Sequence, residues 1–124
     1  MSDYEGEIIA ESLLDTSILD ELNIIKTRVE DVFPEDGTPW LSVWTLHKVR
    51  IVHSQAAAWA ERFSHLLEHD HGIEWYIDFK NDDTHYVIYR DKVFKVDRRD
   101  AAQYRAVQDY GRALKIPESQ LVEG

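Results

Sequence analysis

The chain has 124 residues with 24 acidic and 14 basic side chains, which give a formal net charge of −10 at pH 7. This length fits one domain that buries a core without disulfides, and the absence of cysteine excludes disulfides, thiolate metal sites and cysteine nucleophiles. The acidic balance argues against nonspecific binding to nucleic acid or anionic lipid, because both need clustered lysine and arginine.

The sequence predicts a single cytoplasmic domain over residues 1–124, with no cofactor. The N-terminus carries no basic segment followed by a long apolar run, so we expect no secretory signal. No apolar stretch approaches the roughly 20 residues that span a bilayer, so no membrane partner is expected. Within the acidic segment 1–21, residues 7–14 are the candidate strand.

Three further segments in the first half of the chain have regular patterns. Residues 22–33 are rich in β-branched side chains and predict a strand, which residues 34–39 end with dense turn signals. Residues 40–53 carry apolar side chains on both faces, so we expect a strand in the interior of a sheet. Residues 55–69 have apolar side chains at helical spacing and predict a helix.

A β-hairpin in the second half of the chain is the predicted centre of the fold. Residues 73–80 alternate apolar and charged side chains, residues 81–84 supply turn chemistry, and a β-rich run follows over residues 85–90. A four-residue loop places Lys80 opposite His85, which assigns every side chain to a face. The inner, core face then holds Trp75, Ile77, Phe79, Tyr86 and Ile88, and the outer face holds Glu74, Tyr76, Asp78, Lys80, His85, Val87 and Tyr89.

The end of the chain predicts one more strand and one more helix. A three-residue or bulged turn before residues 93–96 would place Phe94 and Val96 with the inner face of the hairpin. Residues 100–115 predict the last helix. The complete pattern predicts an α+β domain, with a mostly antiparallel sheet of about five strands and two main helices packed on one face.

Several motifs of the C-terminal half are similar to those of a known family. They are Trp75-Tyr76-x-Asp78-Phe79-Lys80-Asn81-Asp82, His85-Tyr86-Val87-Ile88 and Lys92-Val93-Phe94-Lys95-Val96-Asp97-Arg98. On these residues the chain resembles a family of small uncharacterised prokaryotic proteins, and the similarity extends to Tyr110-Gly111 and to Ile116-Pro117-Glu118. No activity is established for that family, so the resemblance implies a self-standing cytoplasmic domain and directs attention to the polar residues of the hairpin.

The outer face of the hairpin is the first candidate site. Asp78, Lys80 and His85 are the candidate catalytic residues, because a carboxylate, an ammonium and an imidazole this close together are able to perform acid–base chemistry. Tyr76 and Tyr89 are candidate ligand-binding residues on the same face. The favoured alternative is a hydrated sheet face, on which ion pairs contribute little to stability.

Arg98 and Arg99 are the second candidate for ligand binding. They lie next to the predicted start of the last helix, where a helix N-terminus and two guanidinium groups suit a phosphate or a carboxylate. The favoured alternative is an ordinary capped helix start, with the two arginines paired to the acidic N-terminal segment.

His65, His69 and His71 are the candidate metal ligands. His65 and His69 are four residues apart in the predicted helix, a spacing that lets two imidazoles share a metal. No HExxH motif and no second ligand cluster accompany them, so the sequence favours a solvated helix end and predicts no metal site.

These patterns favour a non-enzymatic binding or interaction module whose partner is a second copy or another protein. The homodimer would form through an exposed strand edge or through the tryptophan-bearing residues 40–53. The alternative is a small enzyme or polar-ligand-binding protein that uses the outer face of residues 73–90. A third hypothesis is an acidic inhibitor that places residues 3–36 in a cationic site of a partner.

Overall fold

One antiparallel sheet of six strands and two α-helices make up the fold, which confirms the predicted α+β class. The computed structural model describes residues 2–123. The strands are β1 (Tyr4–Ile9), β2 (Asn23–Asp31), β3 (Val43–Ile51), β4 (Tyr76–Lys80), β5 (Thr84–Tyr89) and β6 (Lys92–Asp97), and the helices are α1 (Ala56–Ser64) and α2 (Ala101–Ala113). Short 3₁₀-helices cover Ala10–Ser12, Thr16–Glu21, Pro34–Asp36, His53–Gln55 and Glu118–Gln120. The strand order is β2-β3-β1-β4-β5-β6, so the prediction of about five strands is corrected to six.

The first strand, β1, lies in the middle of the sheet between β3 and β4. Its predicted position at residues 7–14 is wrong by several residues. Tyr4 and Ile8 are buried in the core, whereas Glu5 and Glu7 alternate with them on the opposite face. The prediction failed because two glutamates in a short acidic segment obscured the alternation. The prediction of an interior position for β3 is confirmed, since it pairs with both β1 and β2.

The predicted register of the β4–β5 hairpin is confirmed. Lys80 faces His85, and two further pairs, Phe79 with Tyr86 and Ile77 with Ile88, follow in the same register. The side chains therefore divide between the two faces as the sequence predicts. The environment of the outer face differs from the prediction, because His85, Val87 and Tyr89 have no exposed surface.

The two helices lie on opposite faces of the sheet, which corrects the prediction that both pack on one face. Helix α1 buries Ala60 and Phe63 in the cluster that contains Ile77 and Ile88 of the inner face. Helix α2 buries its own side chains in a second cluster on the outer face, made of Val87, Tyr89, Val96, Tyr104, Val107, Ile116, Leu121 and Val122. One core therefore covers each face of β5, which is what a strand with two apolar faces requires.

A two-residue turn joins β5 to β6 and changes the placement of Phe94 and Val96. Tyr89 pairs with Lys92, and Asp91 within the turn has a φ of 58°. Phe94 then faces Val87, so both Phe94 and Val96 belong to the α2 cluster. The predicted longer turn is therefore wrong, because a second core covers the outer face and accepts these side chains there.

Within residues 2–123, neither helix combines the length and the apolar character that crossing a membrane requires.

Gly6 sets the distance between β1 and β4, and its substitution tests the central position of β1. A Cβ on Gly6 would overlap the backbone of Asp78 and Phe79. We expect Gly6→Ala to lower the free energy of unfolding by about 2 kcal/mol, because backbone atoms cannot move aside without disturbing strand pairing. Urea unfolding followed by circular dichroism measures the change.

Gly111→Ala is the matched control for Gly6→Ala. A Cβ on Gly111 would meet side-chain atoms of Leu121 and Tyr89 rather than backbone atoms, and the helix gains about 1 kcal/mol from alanine propensity. We expect Gly111→Ala to lower the free energy of unfolding by less than Gly6→Ala does. Equal stability of Gly6→Ala and the natural protein would contradict the close approach of β1 and β4.

Candidate functional site

The outer face of the hairpin is divided among three environments. Tyr76 and Asp78 line a cavity, Lys80 lies in a separate open groove, and His85 and Tyr89 are buried beneath α2. The candidate catalytic residues Asp78, Lys80 and His85 therefore do not meet at one accessible point. Of the five candidates on this face, Tyr76 and Asp78 are the two that border the cavity.

A chain of three side chains, called here the Asp78–His85–Tyr104 chain, joins α2 to the sheet. His85 Nε2 lies 2.6 Å from Asp78 Oδ2, and His85 Nδ1 lies 3.0 Å from the Tyr104 hydroxyl. A carboxylate only accepts hydrogen bonds, so Nε2 donates to Asp78, and in the neutral ring Nδ1 accepts from Tyr104. The His85 side chain has no exposed surface, whereas 35% of the Asp78 side chain is exposed. His85 therefore orients Asp78, and Asp78 is the member that a ligand can touch.

The cavity bordered by Asp78 has a volume of about 310 Å³ and is called here the sheet cavity. It is lined by residues of β1, β2, β3 and β4, by residues 36–38 and 73–75, and by residues 115–117 and 120 that follow α2. Its apolar wall includes Ile9, Trp44, Leu46, Trp75, Ile116 and Pro117. Its charged lining consists of Glu7, Arg28, Asp36, Glu74, Asp78 and Lys115.

Two carboxylates stand directly opposite one another at the sheet cavity. Glu7 of β1 and Asp78 of β4 are partners in the strand register. Like charges at such positions repel, and each carboxylate has a compensating partner. Glu7 Oε2 lies 2.7 Å from Arg28 Nη1, and Asp78 is bonded to His85. Both carboxylates border the cavity and remain partly exposed, at 41% for Glu7 and 35% for Asp78, so a ligand there can contact them.

Both candidate tyrosines act as neutral hydrogen-bond donors. The Tyr76 hydroxyl donates to the carbonyl of Gln120 and so holds the C-terminal segment at the rim of the cavity. The Tyr89 hydroxyl donates to the carbonyl of Val107 in α2 at 3.3 Å. Burial, with a smaller effect of nearby ionisable groups, raises the pKa of Tyr76 and Tyr89 well above the ordinary value. Neither hydroxyl is thus suited to transfer protons near neutral pH.

Arg98 and Arg99 form local contacts at the start of α2. Arg98 Nη1 donates to the carbonyl of Asn81 at 2.6 Å, and Arg99 Nε lies 3.2 Å from Asp97. Asp100 caps the helix by accepting from the first backbone N–H groups, which fits the capped helix start. Within residues 2–123, neither arginine forms an ion pair with the acidic N-terminal segment, so the expected pairing is wrong.

His65, the first candidate metal ligand, lies between two carboxylates at the end of α1. Its ring nitrogens lie 3.0 Å from Glu61 and 3.2 Å from Asp91. The hydrogen bond that the His65 ring donates to Glu61 has the largest effect and raises the pKa of His65; desolvation lowers this pKa by less, and the hydrogen bond to Asp91 raises it further. The protonated ring is therefore favoured, which competes with metal binding.

His69 and His71 have different neighbours from His65. The His71 ring stacks on Trp40 with 4.1 Å between the ring centroids, and His71 Nδ1 lies 3.0 Å from Glu68. His69 Nδ1 lies 3.4 Å from a backbone carbonyl. Across the part of the chain that the structure describes, no group of three or more His, Asp or Glu side chains is arranged to hold a metal ion.

The sequence did not single out most of the sheet cavity. Glu7, Arg28, Trp44 and Lys115 come from distant parts of the chain, and their convergence depends on the strand order. One signal was available in the alternation of Glu7 with the buried Ile8, since it places the carboxylate on the face opposite the α1 core.

A comparison of the chain with family models, with curated proteins and with solved structures finds no match. The resemblance to a family of small prokaryotic proteins therefore stays a prediction.

Substitution of Tyr104 tests the Asp78–His85–Tyr104 chain. Tyr104→Phe leaves His85 Nδ1 buried without its partner, so we expect the free energy of unfolding to fall by about 1–2 kcal/mol. Tyr110→Phe removes a hydroxyl from the same helix but keeps the ring contact with Tyr89, and we expect a change below about 0.5 kcal/mol. Chemical denaturation of both variants checks this difference, and an equal effect of the two would contradict it.

Proposed function

We propose that the protein is a non-enzymatic binding module whose ligand is a small organic cation held in the sheet cavity. The observation that carries this proposal is an apolar wall and two opposed carboxylates in one concave site. Ligand sites in proteins typically combine a mostly apolar lining with a few convergent polar groups, and their volumes begin near about 300 Å³. A cavity of about 310 Å³ suits a ligand with a single ring.

The charge of the lining supports a cationic ligand. Four carboxylates border the cavity, from Glu7, Asp36, Glu74 and Asp78, against the two cations Arg28 and Lys115. Glu74 is paired with Arg90, and Asp36 accepts from the backbone N–H of Phe33. Glu7 and Asp78 also have partners, but their side chains are 41% and 35% exposed, against 16% for Glu74, so they are better placed than Glu74 to meet a ligand. An ammonium group between them would relieve their mutual repulsion, which favours its binding.

The aromatic wall supports a ligand with a flat apolar body. Trp44 and Trp75 contact one another edge to face, with 5.9 Å between their ring centroids. The Trp44 indole donates to the Thr38 hydroxyl at 3.0 Å, and the Trp75 indole donates to Glu68 at 3.1 Å. Both rings are therefore held in place before a ligand arrives, which reduces the entropic cost of binding. Indole faces also attract cations.

An enzymatic function has less support than binding. Lys80 lies in another groove and His85 is fully buried, so no nucleophile and base converge on one position in the sheet cavity. A chain without cysteine suits a reducing compartment, and we propose that the module acts in the cytoplasm.

Phenethylamine and phenylacetate are matched probes for this proposal, because they share a ring and carry opposite charges. We expect phenethylamine to shift the backbone amide signals of residues 7–9, 44–46 and 73–78 in ¹H–¹⁵N NMR spectra and to change tryptophan fluorescence. Phenylacetate should leave both unchanged. Equal responses to the two probes, or no response to phenethylamine, would refute a cation site.

A pair of variants tests whether phenethylamine binds in the sheet cavity. Glu7→Gln is the test variant, and Glu5→Gln is its control. Both glutamates lie on the same face of β1, both are paired with arginine, and their side chains are 41% and 42% exposed. Glu7 borders the cavity and Glu5 does not. We expect Glu7→Gln to weaken phenethylamine binding about tenfold, through the lost charge, and Glu5→Gln to have little effect. A larger effect of Glu5→Gln would place the ligand elsewhere.

A further inference from the structure

The edge strand β2 is exposed along both of its faces. Its one neighbour in the sheet is β3, and eight of its nine residues are exposed, with Ile24 as the partly buried exception. Such a strand presents a row of backbone N–H and C=O groups that are free to pair with another strand. This edge is also apolar at intervals, because Ile25, Val29 and Phe33 are 45%, 62% and 58% exposed.

The hydrogen bonding of β2 to β3 identifies the backbone groups that face the open edge. The N–H of Val32 donates to the carbonyl of Ser42 at 2.9 Å, in the same register as the Arg28–Leu46 pair. Alternate residues of an antiparallel strand direct their backbone groups to opposite sides. Residues 26, 28, 30 and 32 thus bond to β3, and the N–H and C=O groups of Thr27, Val29 and Asp31 point away from it.

We propose that β2 pairs with β2 of a second copy of this chain, antiparallel and centred on Val29, so that one sheet continues through both subunits. In this register Val29 meets Val29 of the partner subunit, and Arg28 meets Glu30 of the partner subunit, twice by symmetry. The outward backbone groups of Val29 pair with their symmetry equivalents, and those of Thr27 pair with Asp31 of the partner subunit. All of the free edge groups over residues 27–31 are satisfied.

Charge selects this register over its neighbours. Centring the pairing on residue 28 places Arg28 against Arg28 of the partner subunit, and centring it on residue 30 places Glu30 against Glu30 of the partner subunit. Centring it on residue 27 places Lys26 opposite Arg28 of the partner subunit. Directly opposed like charges destabilise a strand pair, whereas the register centred on Val29 opposes unlike charges.

The length of the proposed ladder follows from two features of β2. A register shift between Ile24 and Lys26 interrupts its regular pairing with β3, so the ladder covers residues 26–32. Beyond its ends, the exposed Ile25 approaches the exposed Phe33 of the partner subunit. The dimer therefore covers the three apolar side chains of this edge, and it does not depend on the ligand of the sheet cavity.

The oligomeric state of charge variants tests the dimer. Size-exclusion chromatography with light scattering should give twice the chain mass of 14.5 kDa, with dissociation on dilution. Glu30→Arg places two arginines opposite one another and should weaken dimerisation at least about tenfold. The double variant Arg28→Glu with Glu30→Arg restores opposite charges and should recover the dimer. Asp20→Arg makes the same charge change in an exposed residue outside the edge and should leave the dimer intact.

Hydrogen exchange distinguishes this edge from any other interface. In the dimer the amides of Thr27, Val29 and Asp31 should be protected, and in Glu30→Arg they should exchange rapidly. The amides of residues 28 and 30 bond to β3 and should be protected in the dimer and in Glu30→Arg alike. Their protection in Glu30→Arg also shows that this variant is folded. A monomer at every concentration, or a dimer that Glu30→Arg leaves unchanged, would overturn the proposal.

Discussion

The hydrogen bonds that His85 makes with Asp78 and Tyr104 determine how α2 lies on the sheet. A buried imidazole is costly unless both nitrogens are bonded, so α2 docks where Tyr104 reaches Nδ1 and the strand register brings Asp78 to Nε2. The Tyr89 hydroxyl, which donates to the Val107 carbonyl, adds a further polar contact between β5 and α2. With α2 held there, the outer face is closed over β5 and β6, and it stays open next to Asp78.

The sheet thus has a closed half and an open half. β5 is buried on both faces, and β2 at the opposite end is exposed on both faces. The sheet cavity and the proposed dimer edge both lie in the open half. Arg28 lines the cavity and is also part of the edge strand β2. The α1 core also covers the inner face of β1 and β3, so it is β2 and the outer face beside Asp78 that remain available for a partner and a ligand.

The hairpin register could be predicted from alternation, because a strand with one apolar face has only one favourable pairing. The position of α2 could not be predicted, since Tyr76, Asp78 and His85 have the polar pattern of a hydrated surface and yet lie at or beneath a second core. Tyr76 and Asp78 are the candidate residues that proved to border the cavity. Its remaining residues are brought together by strand order, which local patterns do not contain.

The most direct test of the central role of His85 is the exchange of its ring proton with water, observed by NMR on ¹⁵N-labelled protein. The structure predicts a resolved, slowly exchanging Nε2–H signal, since this proton is bonded to Asp78 and fully buried. The signal should broaden in Tyr104→Phe, which frees the other side of the ring. A His85 ring proton that exchanges as fast as that of an exposed histidine would contradict this role.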